Sequence, residues 1–221
     1  MPKPSETALR GRARALIEAM TARTRWIYAV PRELGLAAMK AIFEAEGLGR
    51  EQEDAGAGVV RFSNDAGSIA FVVFDSPELE VTLIEASGGD APPILAKVLD
   101  KTGFYAQSQL LKTALDVRSS EASKALKTLA HMVVAWDEDW SDLFLLHLAS
   151  PDPVARHEAA VATSIAALVA REPGPAITLL EEAARRETFP KLRETIGEAL
   201  NVVRAMTGGP VELKPEGERT G

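Results

Sequence analysis

Three histidines are the first place to look for chemistry in a chain that has no cysteine. His157 stands in Arg156-His-Glu-Ala-Ala160. A zinc-binding His-Glu-x-x-His needs a second histidine four residues on, and residue 161 is Val. His131 sits in an apolar helical stretch, Leu129-Ala-His-Met-Val-Val134, and His147 sits among leucines. A lone helical histidine is more often packed or solvated than a ligand. Asp137, Glu138, Asp139 and Asp142 cluster, but their spacing lacks the glycine and the distal glutamate of a calcium loop. Their place at a helix start fits capping and the helix dipole better. No Gly-x-Gly-x-x-Gly follows a strand pattern, and no Gly-x-x-x-x-Gly-Lys-Ser/Thr or Gly-x-Ser-x-Gly occurs. Gly56-Ala-Gly58 precedes a strand pattern, the wrong order for a phosphate loop. Without cysteine there is no disulfide, thiolate metal site or thiol nucleophile. The expectation is a protein without catalytic residues, cofactor or metal, and so not an enzyme.

One cationic set stands out in a chain of net charge −7. Arg10, Arg12, Arg14, Arg23 and Arg25 face only Glu18 in the first stretch. That stretch predicts an amphipathic helix from Thr7 to about Tyr28, with Leu9, Ala13, Leu16, Ile17, Met20 and Ile27 at helical spacing. Its arginines are an interaction-face candidate for an acidic partner, a nucleic acid or a membrane surface. A solvated helix face is the commoner use of such a pattern. The net charge argues against wholesale binding of nucleic acid or anionic membrane. No apolar run reaches membrane-spanning length, and Met1-Pro-Lys-Pro-Ser-Glu6 lacks the apolar core of a secretory signal, so a cytoplasmic location is expected.

The 221 residues can hold one large domain or two small ones, and 46% apolar content allows a packed core. Leu34 to Glu46 predicts a helix stopped by Gly47. Glu51 to Gly58 reads as a polar loop. Val59–Phe62, Ile69–Phe74 and Leu79–Glu85 read as three antiparallel strands, separated by the turn sequences Asn64-Asp-Ala-Gly67 and Asp75-Ser-Pro-Glu78. The edge near Leu79–Glu85 is then open to a partner strand or a second copy. Asp90 is placed to cap a helix that ends at Gly103, and Phe104–Leu115 predicts another. Further helices are expected over 120–135, from the acidic run to Leu148, and over 153–171, 175–187 and 190–206. Residues 207–221 have the composition of a disordered tail.

Two of these helices carry a repeat. Pro153 recurs as Pro190, Arg156 as Arg193 and Ala162 as Ala199, each thirty-seven positions on. A period of this length with one helix pair per unit marks an α-solenoid. With Asp152-Pro153-x-x-Arg156, Pro190-x-x-Arg193 and alanine-rich first helices, residues 119–206 resemble HEAT repeats. The resemblance implies a scaffold that binds other macromolecules, and a structural, unit-bridging role for Asp152, Arg156 and Arg193. The pair 120–148 lacks that aspartate and arginine, so the repeat count stays open. Some solenoids are DNA-repair glycosylases, with Trp26, Trp136 and Trp140 as candidate aromatics here, but 119–206 leans acidic.

Residues 32–86, from Met39-Lys-Ala-Ile-Phe-Glu-Ala-Glu-Gly-Leu48 through the three strands, resemble the fold of type III secretion chaperones and YbjN-like domains. That resemblance implies client binding or dimerisation. The expected architecture is α+β: a helix and meander unit over 1–90, then HEAT-like helices over 91–206. The expected function is a non-catalytic protein-interaction adaptor with a protein partner. The alternatives are a chaperone-like client binder acting through the first unit and a nucleic-acid-binding repeat protein.

Overall fold

Arg25–Pro31 forms a β-strand, β1, where the sequence predicts the end of a helix. Trp26, Tyr28 and Val30 alternate with Ile27 and Ala29, so both faces of this stretch are apolar and helical and strand periods match it equally. Tertiary pairing decides, and the aromatic and β-branched residues suit a strand covered on both sides. The computed structural model describes residues 25–54 and 58–207, so Arg10, Arg12, Arg14 and Arg23 lie outside the described residues. The chain divides into two compact units between Gln109 and Leu110.

The first unit holds a five-stranded antiparallel sheet in the order β1-β5-β4-β3-β2. The others are β2 (Gly49–Asp54), β3 (Val59–Ser63), β4 (Ala70–Ser76) and β5 (Val81–Ser87). The three expected strands therefore lie inside a larger sheet. β2 occupies most of the expected polar loop, and its charged sequence carries no strand pattern. The third expected strand starts late: residues 77–80 form a turn, and Glu80 has φ 54°. β5 is paired on both sides, by β1 and β4. The segment expected as an open edge is thus interior, because β1 arrives from far away in sequence.

Two helices cover one face of the sheet. The first, α1 (Gly35–Ala45), ends where Gly47 turns to φ 74°. There the Leu48 N–H donates to the Phe43 carbonyl (2.9 Å) and the Gly47 N–H to that of Glu44 (3.1 Å), the double bond that satisfies a helix end. Phe43 packs between Phe62 and Phe71, with ring centroids 4.8 and 4.6 Å away. The second, α2 (Ala91–Thr102), adds Ile94, Leu95, Val98 and Leu99 to the same core. The boundary expected at residue 90 thus precedes a helix that shares the sheet's core. Asp90 makes no side-chain cap.

The second unit is helical: α3 (Gln107–Leu115, whose first turn contains the division), α4 (Ala122–Ala130), α5 (Glu138–Leu148), α6 (Pro153–Ala170), α7 (Pro173–Arg186) and α8 (Pro190–Ala205). The helix expected to run to residue 135 stops at Ala130, with Met132 and Val133 buried beyond its end. Proline opens α6, α7 and α8, where its missing N–H costs nothing. The side chain of Asp137 caps α5 by accepting from the Trp140 N–H (3.1 Å), and that of Asp152 caps α6 by accepting from the Val154 N–H (2.9 Å). α6 packs against α4, α5, α7 and α8. It can do so because its buried positions are nearly all small, among them Ala159, Ala160, Ala162, Ala166 and Ala167. Among the described residues, no helix is long and apolar enough to cross a membrane. The fold class is mixed α and β with an antiparallel sheet.

Candidate functional site

Helices α6 and α8 start close together, and the turn that leads into α8 is held by both repeat arginines. Arg156, one turn into α6, grips Glu187 in a two-point ion pair: Nε to Oε2 at 2.7 Å and Nη2 to Oε1 at 3.1 Å. Glu187 follows the last residue of α7 and is 4% exposed. Its Oε1 also accepts from the backbone N–H groups of Thr188 and Phe189, each at 2.9 Å. Arg156 Nη1 donates to the carbonyls of Ser150 (2.8 Å) and Pro151 (3.1 Å). Arg193 approaches from α8 and donates through Nε (3.0 Å) and Nη2 to the Glu187 carbonyl. A nearly buried carboxylate is tolerable only when its lone pairs are filled this way. The bond from Arg156 holds the Glu187 carboxyl below the usual carboxylate range, burial opposes that shift, and the Phe189 N–H reinforces it.

This network refines the role expected for Asp152, Arg156 and Arg193. Asp152 caps α6 and lends charge to Arg156, while the bond across helices goes to Glu187. Pro153 and Pro190 are first residues of their helices. Sequence reasoning missed Glu187, because a single glutamate at a helix end carries no pattern.

The network fixes a surface. Phe189, between the buried Glu187 and the start of α8, is 56% exposed, and Val154 is 64% exposed. Arg156 stacks over the Phe189 ring, 5.8 Å from its centroid. Val154, Phe189 and Leu192 line a shallow apolar groove edged by His157, Lys191 and Thr195. Phe189 also lines a cleft of about 420 Å³ with Leu145, Leu148 and Ala183 and with Glu182 and Arg186. An aromatic ring held by hydrogen bonds at a turn, beside an apolar groove, suits docking of a side chain from a partner.

The other residues singled out in the sequence are placed elsewhere. Arg25 lies on β1 and pairs with Glu85 of β5 through Nε (2.5 Å) and Nη2 (2.9 Å), so it belongs to the sheet rather than to a helical cationic face. Trp26 is buried in the first core. Trp136 and Trp140 pack on Phe144, which places them in the helical core instead of on a stacking surface. His157 is exposed beside the groove and His131 is half-buried. His147 is 1% exposed; its Nε2 donates to the Ala114 carbonyl at 2.8 Å, and Nδ1 has no hydrogen-bond partner among the described residues. Burial pushes its pKa down, against the opposing effect of that bond. Among the described residues, no group of three or more His, Cys, Asp or Glu could hold a metal ion.

Comparison of the chain with protein-family models, with curated proteins and with solved structures found no match.

Proposed function

We propose that this protein is a non-catalytic interaction adaptor that docks a protein partner on the groove between the starts of α6 and α8. The observation that carries the reading is Phe189, an exposed aromatic ring locked in place by Arg156 and Glu187. Exposed apolar side chains usually move freely, and fixing one in advance lowers the entropy lost on binding. The HEAT-like reading of the helices is part of the same proposal. In its support, α6 packs against both α4 and α8, and arginines at equivalent helix positions converge on one residue. The chemistry of the groove suits an apolar anchor flanked by carboxylates, because Lys191 and His157 edge it and the N-terminal ends of two helices add positive potential.

The experiment is affinity capture with the full chain, wild type beside Phe189→Ala, in nuclease-treated lysate of the native host. Phe189 is exposed, so its truncation leaves the melting temperature nearly unchanged. Binding of the captured partner weakens by about tenfold or more, the usual cost of losing a central aromatic anchor. Equal capture by both chains would sink this surface as the docking site. Capture abolished by nuclease would transfer the ligand to nucleic acid.

A further inference from the structure

Thr188 lies in the short turn, 187–189, between α7 and α8, and the residues around it are chemically marked. Among all the serines and threonines of the chain, it alone has arginine both two and three residues before it, at Arg186 and Arg185. The structure leaves all three reachable. Arg185 and Arg186 end α7 with side chains 72% and 66% exposed, and both pair with Glu182 at the surface. Exposed pairs of this kind are weak and give way to a better partner. Thr188 is exposed. Its N–H donates to Glu187 (2.9 Å), and its hydroxyl makes no hydrogen bond among the described residues. The backbone on either side is extended, with φ −70° and ψ 127° at Glu187 and φ −81° and ψ 116° at Phe189. Glu187 is buried and Phe189 exposed, so the chain presents, in order, two guanidinium groups, a hidden residue, a free hydroxyl and an open ring.

We infer that Thr188 is a phosphorylation site for a serine/threonine kinase whose substrate cleft is acidic. Such a cleft reads guanidinium groups through two-point bonds to its carboxylates, and kinases choose substrates by charge patterns of this kind. Transfer needs a hydroxyl within reach of the kinase's aspartate and of a nucleoside triphosphate with its magnesium. The Thr188 oxygen forms the new bond to the γ-phosphorus, and the bond from that phosphorus to the bridging oxygen breaks. The nucleoside diphosphate leaves, and the hydroxyl proton goes to the aspartate. The product meets cationic neighbours. Thr188 lines its cleft together with Arg156 and Arg186, and phosphate oxygens accept strongly from guanidinium groups. A phosphothreonine carries a charge of about −1.5 to −2, and here it adjoins Phe189. Charge introduced into an apolar contact disrupts it, and an anchor flanked by carboxylates is repelled as well. Phosphorylation therefore closes the groove. This consequence rests on the docking role of Phe189 proposed above, whereas the acceptor site does not.

The test treats the full chain with ATP, magnesium and the catalytic subunit of a cyclic-AMP-dependent protein kinase, whose substrate cleft is acidic, and maps phosphate by peptide mass spectrometry. Wild type is expected to take up phosphate at Thr188. Thr188→Ala is expected to take up none in that turn. Arg185→Ala/Arg186→Ala is expected to react about tenfold or more slowly, the order of loss for breaking close charge contacts. All three altered side chains are exposed, so the variants should keep the wild-type melting temperature. Phosphate absent from Thr188, phosphate placed equally on other hydroxyls, or an unchanged rate without the two arginines overturns the site. The switch is read with the partner obtained by capture. Phosphorylated wild type is expected to bind it about tenfold or more weakly than the untreated chain, and kinase-treated Thr188→Ala to bind as before. Equal binding with and without phosphate, where Phe189→Ala still binds weakly, overturns the switch and leaves the docking surface standing. Equal capture by Phe189→Ala removes the docking surface and the switch with it, and leaves the acceptor site to be decided by the first measurement.

Discussion

Glu187 and His147 show how differently two buried ionisable side chains can be accommodated. Glu187 is kept charged by filled lone pairs, whereas His147 is kept neutral by burial. Removing one partner of a buried, hydrogen-bonded pair leaves the other charge exposed to a poor environment. Arg156→Ala is therefore expected to lower unfolding free energy by roughly 3 kcal/mol, measured by urea titration. A wild-type midpoint would show the pair to be replaceable. His147 supplies a pH dependence. Its folded-state pKa lies below the unfolded value of about 6.5, so the unfolded chain takes up the proton first as pH falls. Its stabilising contribution is complete above that value and declines as pH falls through 6.5 towards the depressed folded value. Glu187, also depressed, loses its contribution only lower, through the carboxylate range. The expected outcome is that stability falls between pH 7 and 5 in wild type and stays flatter in His147→Gln, followed by chemical denaturation. Equal slopes would show that another group dominates this window.

At the scale of the element, α6 sets how closely its neighbours come. Ala162 is 0% exposed and faces the packed centre. Leucine there adds three carbons to a space already filled, and overpacking of this kind costs about 1–3 kcal/mol. Ala162→Leu should lower the melting temperature, while Leu168→Ala, at an exposed position of the same helix, should leave it nearly unchanged. Scanning calorimetry of the two variants checks the contrast. The starts of α5, α6 and α8 were legible in the sequence, because Asp137, Asp152, Pro153 and Pro190 are local signals. So was the end of α1, which Gly47 marks. β1 was not legible, since Trp26 to Val30 is apolar on both faces, and β2 was not, since Gly49-Arg-Glu-Gln-Glu-Asp54 has neither alternation nor strand formers. Both are the sheet's outer strands, fixed by partners rather than by their own composition. The candidate site was half legible: the spacing of Arg156 and Arg193 drew attention, but Glu187 and Phe189 acquire meaning only from the turn that brings them together.

For the whole molecule, two separate cores imply two seats of stability. A disturbance in one core is expected to act first within its own unit, since stability is distributed in local cooperative units. Hydrogen exchange of Arg156→Ala should rise over α6 to α8 and remain at wild-type level over β3 to β5. Faster exchange throughout would mean that the units unfold as one. The place of β2 at the end of the strand order, among the described residues, has a consequence for crowded solutions. An outer strand offers unsatisfied N–H and C=O groups to any passing copy, and this is how sheets grow into fibrils. Here that strand carries Glu51, Glu53 and Asp54 within six residues. The segments that stack into fibrils are apolar, rich in strand formers and low in charge, and Gly49-Arg-Glu-Gln-Glu-Asp54 is none of these. The outermost strand of the described sheet is thus written in residues that make a poor seed for further strands, and the same choice that hid β2 from a reading of the sequence keeps the sheet from growing.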